Sequence, residues 1–505
     1  MYIYIYIMSR ENDYINEINR LIKKLDKESI KPNIEGNNLL LYISEKCKNV
    51  EVIRYLIEEK RLDTNHVDIN GNNCFLLACY GNENLDVIKY FIEDLKFNLK
   101  YKNYFGDKCL SIACFQNKNL SIIRYLIEEQ KMDPFYKNNI GNNCLSIACF
   151  NNKNLDVIRY LIEKLKMDPN TKNINNNNCL ILACSNNNKL DVIKYLIEVQ
   201  KININYKNND NDNCLLAACC QNGNLDIIRY LIEEQGMSLD TQNKYGMNCL
   251  LLACYSNKNL DVVRYLIEVQ KMDPKQKNKN EENCLFLACS NPNLQILKYL
   301  IEVVKMNINQ VDKNGDNCLL LACRSNPNIN VVRYLIEECK MDVNIKNKIG
   351  NCLAVACYGN PNLELIKYLI ENVKLNPNDK NKSGNNCLFS ACYSNPNINV
   401  IKYLVEDVKM NESQKNNNGD TPLLLACYNN RNIAIIKYLI EECEVNVHHK
   451  NSKGDNCLSM ACYQNDIEII KYLLEEKKVK IDHVKPMYSS QTKRYLISKN
   501  IKLLK

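Results

Sequence analysis

Apolar clusters and polar gaps alternate at a fixed interval along almost the whole chain. A cluster such as Cys144-Leu145-Ser146-Ile147-Ala148-Cys149 is followed by the gap Asn151-Asn152-Lys153-Asn154, then by Leu155, Val157, Ile158, Leu161 and Ile162. The last five fall on two faces of a helix, as in a helix packed between two neighbours. Asn143 stands where the first cluster needs a helix cap. Met167-Asp168-Pro169-Asn170 ends the second helix, because proline has no amide to donate and a fixed backbone angle. Each interval therefore predicts helix, loop, helix and an extended turn.

The interval hardly varies. The second cysteine of a C-x-x-x-x-C pair recurs at Cys79, Cys114, Cys149, Cys184, Cys219, Cys254, Cys289, Cys323, Cys357, Cys392, Cys427 (with Pro422 in place of the first cysteine) and Cys462, in steps of 34 or 35 residues. A tyrosine keeps the same phase from Tyr55 and Tyr90 through Tyr438 and Tyr472, and Ser44 marks a degraded first copy. About thirteen units of 34–35 residues thus occupy residues 36–484, with an atypical first unit over 36–70. One such unit is too small to bury its own apolar faces, so the copies must stack as an all-α repeat solenoid of helix-turn-helix units with extended turns. Residues 1–35 read as a leader and a capping helix, with Tyr14, Ile15, Ile18, Leu21, Ile22 and Leu25 at helical spacing. Residues 1–7, MYIYIYI, suit a short strand, or else Met8 is the true start; the sequence leaves both open. Residues 485–505 form a basic tail or a further cap.

Gly419-Asp420-Thr421-Pro422-Leu423-Leu424-Leu425-Ala426, with the apolar helix that follows over 433–441, resembles an ankyrin repeat. The resemblance recurs in register over nearly the whole chain. The richness in Asn, Lys, Ile and Tyr is similar to the ankyrin arrays of large DNA viruses that infect amoebae. Ankyrin units have about 33 residues. The longer unit here implies two one-residue additions, one in the inter-helix loop (428–432) and one between the second helix and the turn (442–451). Units around Cys289 and Cys462 lack the first addition. Asn-Cys replaces Thr-Pro almost throughout, which keeps a cap but loses the preset angle of proline. The family histidine that braces the turn is replaced by Leu76, Ser111, Ser146 and others, so asparagine side chains are expected to hold the turn. The turn glycine suits a positive φ; Asn176 and Asn211 tolerate that angle, whereas Glu281 does so poorly and marks an expected weak point.

Composition narrows the chemistry. Net charge is +8 and histidines number 4, which leaves little for acid–base or metal catalysis. No phosphate loop, G-x-S-x-G or H-E-x-x-H motif is present, so neither an enzyme nor a cofactor or metal site is predicted. His448-His449 reads as a surface pair. The 27 cysteines invite a redox or metal reading. The two of one helix, however, point about 140° apart. Equivalent cysteines of neighbouring units lie about 10 Å apart, beyond the roughly 7 Å Cα limit of a disulfide. The second cysteine is therefore expected to be a small core residue, leaving Cys47, Cys220, Cys339 and Cys443 as the reactive ones. The basic residue before each marker tyrosine and the glutamate four later, such as Arg159 and Glu163 or Lys437 and Glu441, read as a solvated helix face. No apolar run reaches the roughly 18 residues of a membrane helix. With no signal peptide, a reducing, cytoplasmic location is expected.

Two periodic rows bear on function. The position after the second cysteine holds Tyr80, Phe115, Phe150, Tyr255, Tyr358, Tyr393, Tyr428 and Tyr463, with Arg324 in the same register. The ankyrin resemblance implies that this position faces a concave groove, where aromatic residues and arginine anchor partners. The same row is equally compatible with rings that merely pack on the next repeat. A lysine row (Lys102, Lys137, Lys172, Lys207, Lys277, Lys346, Lys380, Lys415, Lys450) either attracts an acidic partner or only solubilises the turns. The resemblance thus implies a non-enzymatic scaffold that binds a protein the sequence does not identify. Its alternatives are an adaptor feeding a host protein to a ubiquitin ligase through residues 485–505, and nucleic-acid binding through the lysines.

Overall fold

The structure, a computed structural model, describes residues 37–480 and 490–499. The expected N-terminal leader and cap lie outside these residues. The chain divides into two compact units, Met1–Ala253 and Cys254–Lys505. Thirteen helix pairs follow one another among the described residues, with no strand.

Local sequence explains each pair. Around Cys144 the first helix spans Cys144–Asn151 and the second Leu155–Arg159, continuing through Tyr160–Lys164. The Asn143 side chain accepts the Ser146 amide at 2.9 Å, and Asn154 accepts that of Asp156 at 3.0 Å. Each thereby satisfies an amide that the first helical turn leaves without a partner. Where Thr-Pro survives, Thr421 Oγ1 accepts the Leu424 amide at 3.3 Å, so asparagine caps as threonine does. Ala148, Cys149, Val157, Ile158 and Leu161 are fully buried.

The second added residue lies elsewhere than expected. It does not lengthen the connector. The second helix widens at its end, with Leu165 donating to Tyr160 O, five residues back, at 3.2 Å, and Met167 to Leu161 O at 3.1 Å. Such widening is how a helix absorbs a single insertion. A left-handed residue follows in every repeat, usually lysine, as at Lys131 (φ +54°) and Lys166 (φ +56°).

The turns are braced by side chains, as the missing histidine required. Asn138 Oδ1 accepts the amides of Ile140 and Asn142 at 3.2 and 3.0 Å, while its Nδ2 reaches Asp107 of the preceding turn at 2.8 Å. The Tyr136 hydroxyl donates to Gly106 O at 3.0 Å, and His449 Nε2 stands 2.8 Å from Gly419 O in the equivalent place. His449 is thus a turn brace. Glu281 does hold φ +66°, beside Asn176 and Asn211 at +62° and +63°. Its turn keeps the brace, with Asn278 Oδ1 accepting from Asn280 and Glu282 at 2.8 and 3.0 Å. A side chain in this region costs about 1 kcal/mol relative to glycine. Glu281→Gly is therefore expected to raise stability by about that amount in urea unfolding; an unchanged or lower midpoint contradicts it.

Three ladders join consecutive repeats within each unit. The first is a buried asparagine. Asn152 Nδ2 donates to Cys114 O and Asn117 O of the preceding repeat, both at 3.0 Å, and its Oδ1 accepts the Asn154 amide at 2.9 Å. Asn187 repeats this toward Cys149 O and Asn152 O, and Asn326 toward Cys289 O and Asn291 O. Asn291 keeps both bonds despite its shortened loop, because the first helix of that repeat, Cys284–Ala288, ends early.

The second ladder runs from each marker tyrosine to the glutamate of the previous repeat: Tyr160 to Glu128 at 2.9 Å, Tyr195 to Glu163 at 2.9 Å, Tyr472 to Glu441 at 2.9 Å. The basic residue lies over the same ring, Arg159 over Tyr195 at 5.5 Å and Lys437 over Tyr472 at 5.0 Å. The face expected to be merely solvated therefore links repeats. Burial and the bond to Glu128 push Tyr160 up to about 12, and the same causes act on Tyr195 and Tyr299. An unfolded phenol ionises near pH 10, whereas the folded one keeps its proton. The native state then binds more protons, so stability is unaffected below about pH 10 and falls above it. Phenolate absorbance is expected to rise together with loss of helical circular dichroism; phenolate formation well before helix loss contradicts the ladder.

The third ladder pairs cysteines that the helical-wheel argument did not compare. The second cysteine of one repeat lies next to the first of the following one: Cys79 by Cys109, Cys149 by Cys179, Cys357 by Cys387. Burial, together with this neighbour, holds Cys79, Cys149 and Cys357 above the ordinary thiol range. The first cysteine in turn reaches a turn carbonyl, as Cys387 Sγ does to Pro377 O at 3.2 Å. Cys220, Cys339 and Cys443 are half-exposed, although burial raises the Cys339 and Cys443 thiols, and Cys47 is buried. It occupies the asparagine-ladder position of the first repeat, where its carbonyl accepts from Asn82 Nδ2 at 2.6 Å.

The described part of the C-terminal segment is a helix, Ser490–Ser498. It copies the tyrosine ladder. The Tyr495 hydroxyl donates to Glu475 at 2.7 Å, Lys499 pairs with Glu475 at 2.6 Å, and Leu496 is fully buried.

Candidate protein-binding groove

The residue after each second cysteine closes the first helix, where the chain leaves the core. Its side chain is neither fully buried nor fully free. Tyr80, Phe115 and Phe150 are half-buried, and their rings meet in file, 6.0 Å between Tyr80 and Phe115 and 6.2 Å between Phe115 and Phe150. In the second unit Tyr358, Tyr393, Tyr428 and Tyr463 form a similar file, with centroids 5.9, 6.2 and 6.3 Å apart. The rings of these two files pack on one another while staying partly exposed. Tyr255 and Tyr428 are the most exposed, at 49% and 42%.

In the first unit the rings form one wall of a groove of about 650 Å³, with Leu77, Ile112, Ile147 and Leu182 on its helical side. The opposite wall is made by the turns, including Phe105 and Ile140, which are 54% and 45% exposed. The residue before the turn glycine or its substitute is apolar at Phe105, Ile140 and Tyr245 in this unit and polar at Asn70, Asn175 and Asp210; in the second unit it is polar at Asn314, Ser383, Asn418 and Lys453 and apolar at Ile349. The set Phe105, Ile140 and Tyr245 was readable in the sequence as an apolar residue just before the glycine. Without the helix-to-turn geometry, nothing singled it out.

Asp107 lies between these walls. One carboxylate oxygen accepts from Asn138 Nδ2 at 2.8 Å. Burial raises its pKa, and the bond from Asn138 draws it partly back. In the second unit, a groove of about 750 Å³ is lined by Tyr393, Tyr428, Tyr463, Asp420, Asp455, Arg431 and Lys453. Arg324 is not a free anchor. Its guanidinium pairs with Asp316, whose side chain is completely buried and also receives Asn347 Nδ2. Within the lysine row, Lys102 and Lys172 lie 5.0 and 4.7 Å from the ring centroids of Tyr136 and Tyr206, and Lys277 pairs with Glu281 at 3.1 Å. No group of three or more His, Cys, Asp or Glu side chains suited to a metal ion occurs among the described residues, nor does a helix long and apolar enough to cross a membrane.

A stack of capped helix pairs joined by braced turns is what family comparison finds in the sequence. Profiles of ankyrin repeats match residues 75–173, 180–275, 250–347 and 397–485, and a second ankyrin profile matches 48–92 and 353–405. The chain belongs to the ankyrin-repeat family. No curated protein matches it significantly. Among solved structures, it is similar to the predatory endopeptidase Bd0816 from Bdellovibrio bacteriovorus in complex with the immunity protein Bd3460. The identity is 22% and the TM-score 0.29, over 36% of this chain and 92% of that one.

Proposed function

We propose that the chain is a non-enzymatic scaffold that binds another protein along the face formed by its first helices and turns. Tyr80, Phe115 and Phe150 would anchor the partner in the first unit, and Tyr255, Tyr358, Tyr393, Tyr428 and Tyr463 in the second. Arg324, held by Asp316, takes part as a positioned side chain. One observation carries the reading: the file of rings faces the exposed apolar side chains of Phe105 and Ile140 across a groove. Contiguous exposed apolar surface of this kind is uncommon on a protein that works alone. The docking of Ser490–Ser498 on the last repeat favours a capping role over an adaptor arm. A reducing cytoplasm suits the buried cysteine pairs, which there remain thiols.

The test is affinity purification from the native cell with the wild-type chain and with Phe115→Ala/Phe150→Ala, after circular dichroism confirms that the variant is folded. A stoichiometric partner retained by the wild type and lost by the variant is expected, since central aromatic anchors carry most interface energy. Equal recovery by both contradicts the reading.

A further inference from the structure

The second unit contains an internal pattern for what the first unit's groove lacks. At Asp316 the carboxylate meets the guanidinium of Arg324, eight residues on, in the row position just after the second cysteine. At Asp455 the residue eight on is Tyr463, whose hydroxyl donates to the carboxylate at 3.3 Å. At Asp107 the residue eight on is Phe115, which has no donor. Asn138 serves one oxygen of Asp107, and the other has no hydrogen-bond partner among the described residues. That second oxygen is open to the groove, where it can accept from an incoming donor.

The surroundings define what kind of donor fits. The charged residues lining this groove are Asp68 and Asp107, and neither lysine nor arginine is among them. Asp68 is already satisfied by its own turn, through the amides of Asn70 and Asn72, both at 2.8 Å, and Asn72 Nδ2 at 3.0 Å. Only Asp107 remains to be matched. It stands among Phe115, Phe150, Ile112, Phe105 and Ile140. A flat cation whose stem packs on rings while its donors pair with a carboxylate is an arginine side chain.

We infer that the first unit's groove receives a partner-protein segment carrying an arginine between apolar residues. The guanidinium pairs with Asp107 as Arg324 pairs with Asp316, and the apolar neighbours lie against Phe115 and Phe150. The raised pKa of Asp107 agrees with this, since an incoming cation relieves the cost of its buried charge. The inference rests on the groove being the partner-binding face.

The experiment is selection of random 12-residue displayed peptides on the full chain. The enriched peptides are then measured against three variants. Asp107→Asn is expected to fold, because Asn142 and Asn177 hold the equivalent position in the next two repeats. The enriched peptides should carry arginine beside apolar residues. They should lose about tenfold or more in affinity on Asp107→Asn, or when arginine is replaced by citrulline. Phe115→Arg should block binding as well, by filling the site from within as Arg324 does. Phe115→Ala separates the two ideas. Binding lost on Phe115→Ala but unchanged on Asp107→Asn overturns the arginine inference and leaves the groove standing. Binding unaffected by either variant overturns both.

Discussion

Asn152→Asp should open the middle of the first unit while leaving its composition almost unchanged. The native side chain is fully buried and uses every polar atom, with two donors on Cys114 O and Asn117 O and an acceptor for Asn154. A carboxylate of the same shape keeps the acceptor and turns an oxygen toward two carbonyl oxygens. Leaving two buried carbonyls unpaired costs about 1–3 kcal/mol each, and burying an uncompensated charge beside them adds to that. A loss of about 4 kcal/mol is expected at neutral pH. The pH dependence identifies the cause. The introduced carboxyl would have a raised pKa in the fold, so the native state would bind its proton more tightly. The loss should shrink as pH falls from 7 toward 5 and be greatest above that range. Hydrogen exchange should show the loosening at residues 114–160 before it spreads, since each repeat is held by its neighbours. A variant with the wild-type urea midpoint, or a deficit that grows in acid, contradicts the ladder.

Leu496→Asp should detach the C-terminal helix and expose the end of the array. Leu496 is fully buried, and its helix is held by Tyr495 and Lys499, both on Glu475. A buried carboxylate without a partner costs about 3 kcal/mol or more, enough to undo the docking of a nine-residue helix. The last repeat would then expose a face built to be covered, a change that terminal caps exist to prevent. Faster exchange and earlier proteolysis over residues 457–480 are expected, with residues 74–182 unchanged. Unaltered protection of the last repeat would mean that the helix is an attached arm, which would return the adaptor reading to consideration.

These two sites show which parts of the structure can be read from a single repeat. Caps such as Asn143 and Thr421 are local, acting across three residues, and the period placed them correctly. Tyrosine and cysteine positions were equally visible, but their partners were not. Asn152 meets residues 35 and 38 positions earlier, and Tyr195 meets a glutamate 32 positions earlier. A helical wheel compares residues within one helix. It therefore excluded a cysteine pair inside Cys74–Gly81, correctly, and passed over Cys79 and Cys109, which face each other across repeats. The abundance of asparagine in turns also concealed Asn152, which in sequence looks like one more helix breaker.

The candidate groove divides in the same way. Its ring wall was legible, because Tyr80, Phe115 and Phe150 share one register. The opposite wall and Asp107 were not, since they come from turns whose approach to the helices is set by packing. Arg324 showed the right residue type, but its buried partner Asp316 could be recognised only in three dimensions.

Photo-crosslinking from within the groove tests the central claim most directly. A benzophenone amino acid is placed at position 115, facing the groove, or at 156, on the second helix, where the native aspartate side chain is 68% exposed. Irradiation in the native cell should join a discrete partner protein to the chain from position 115 and leave position 156 uncoupled. A partner captured from 156 and not from 115 would place binding on the tyrosine–glutamate face and contradict the account.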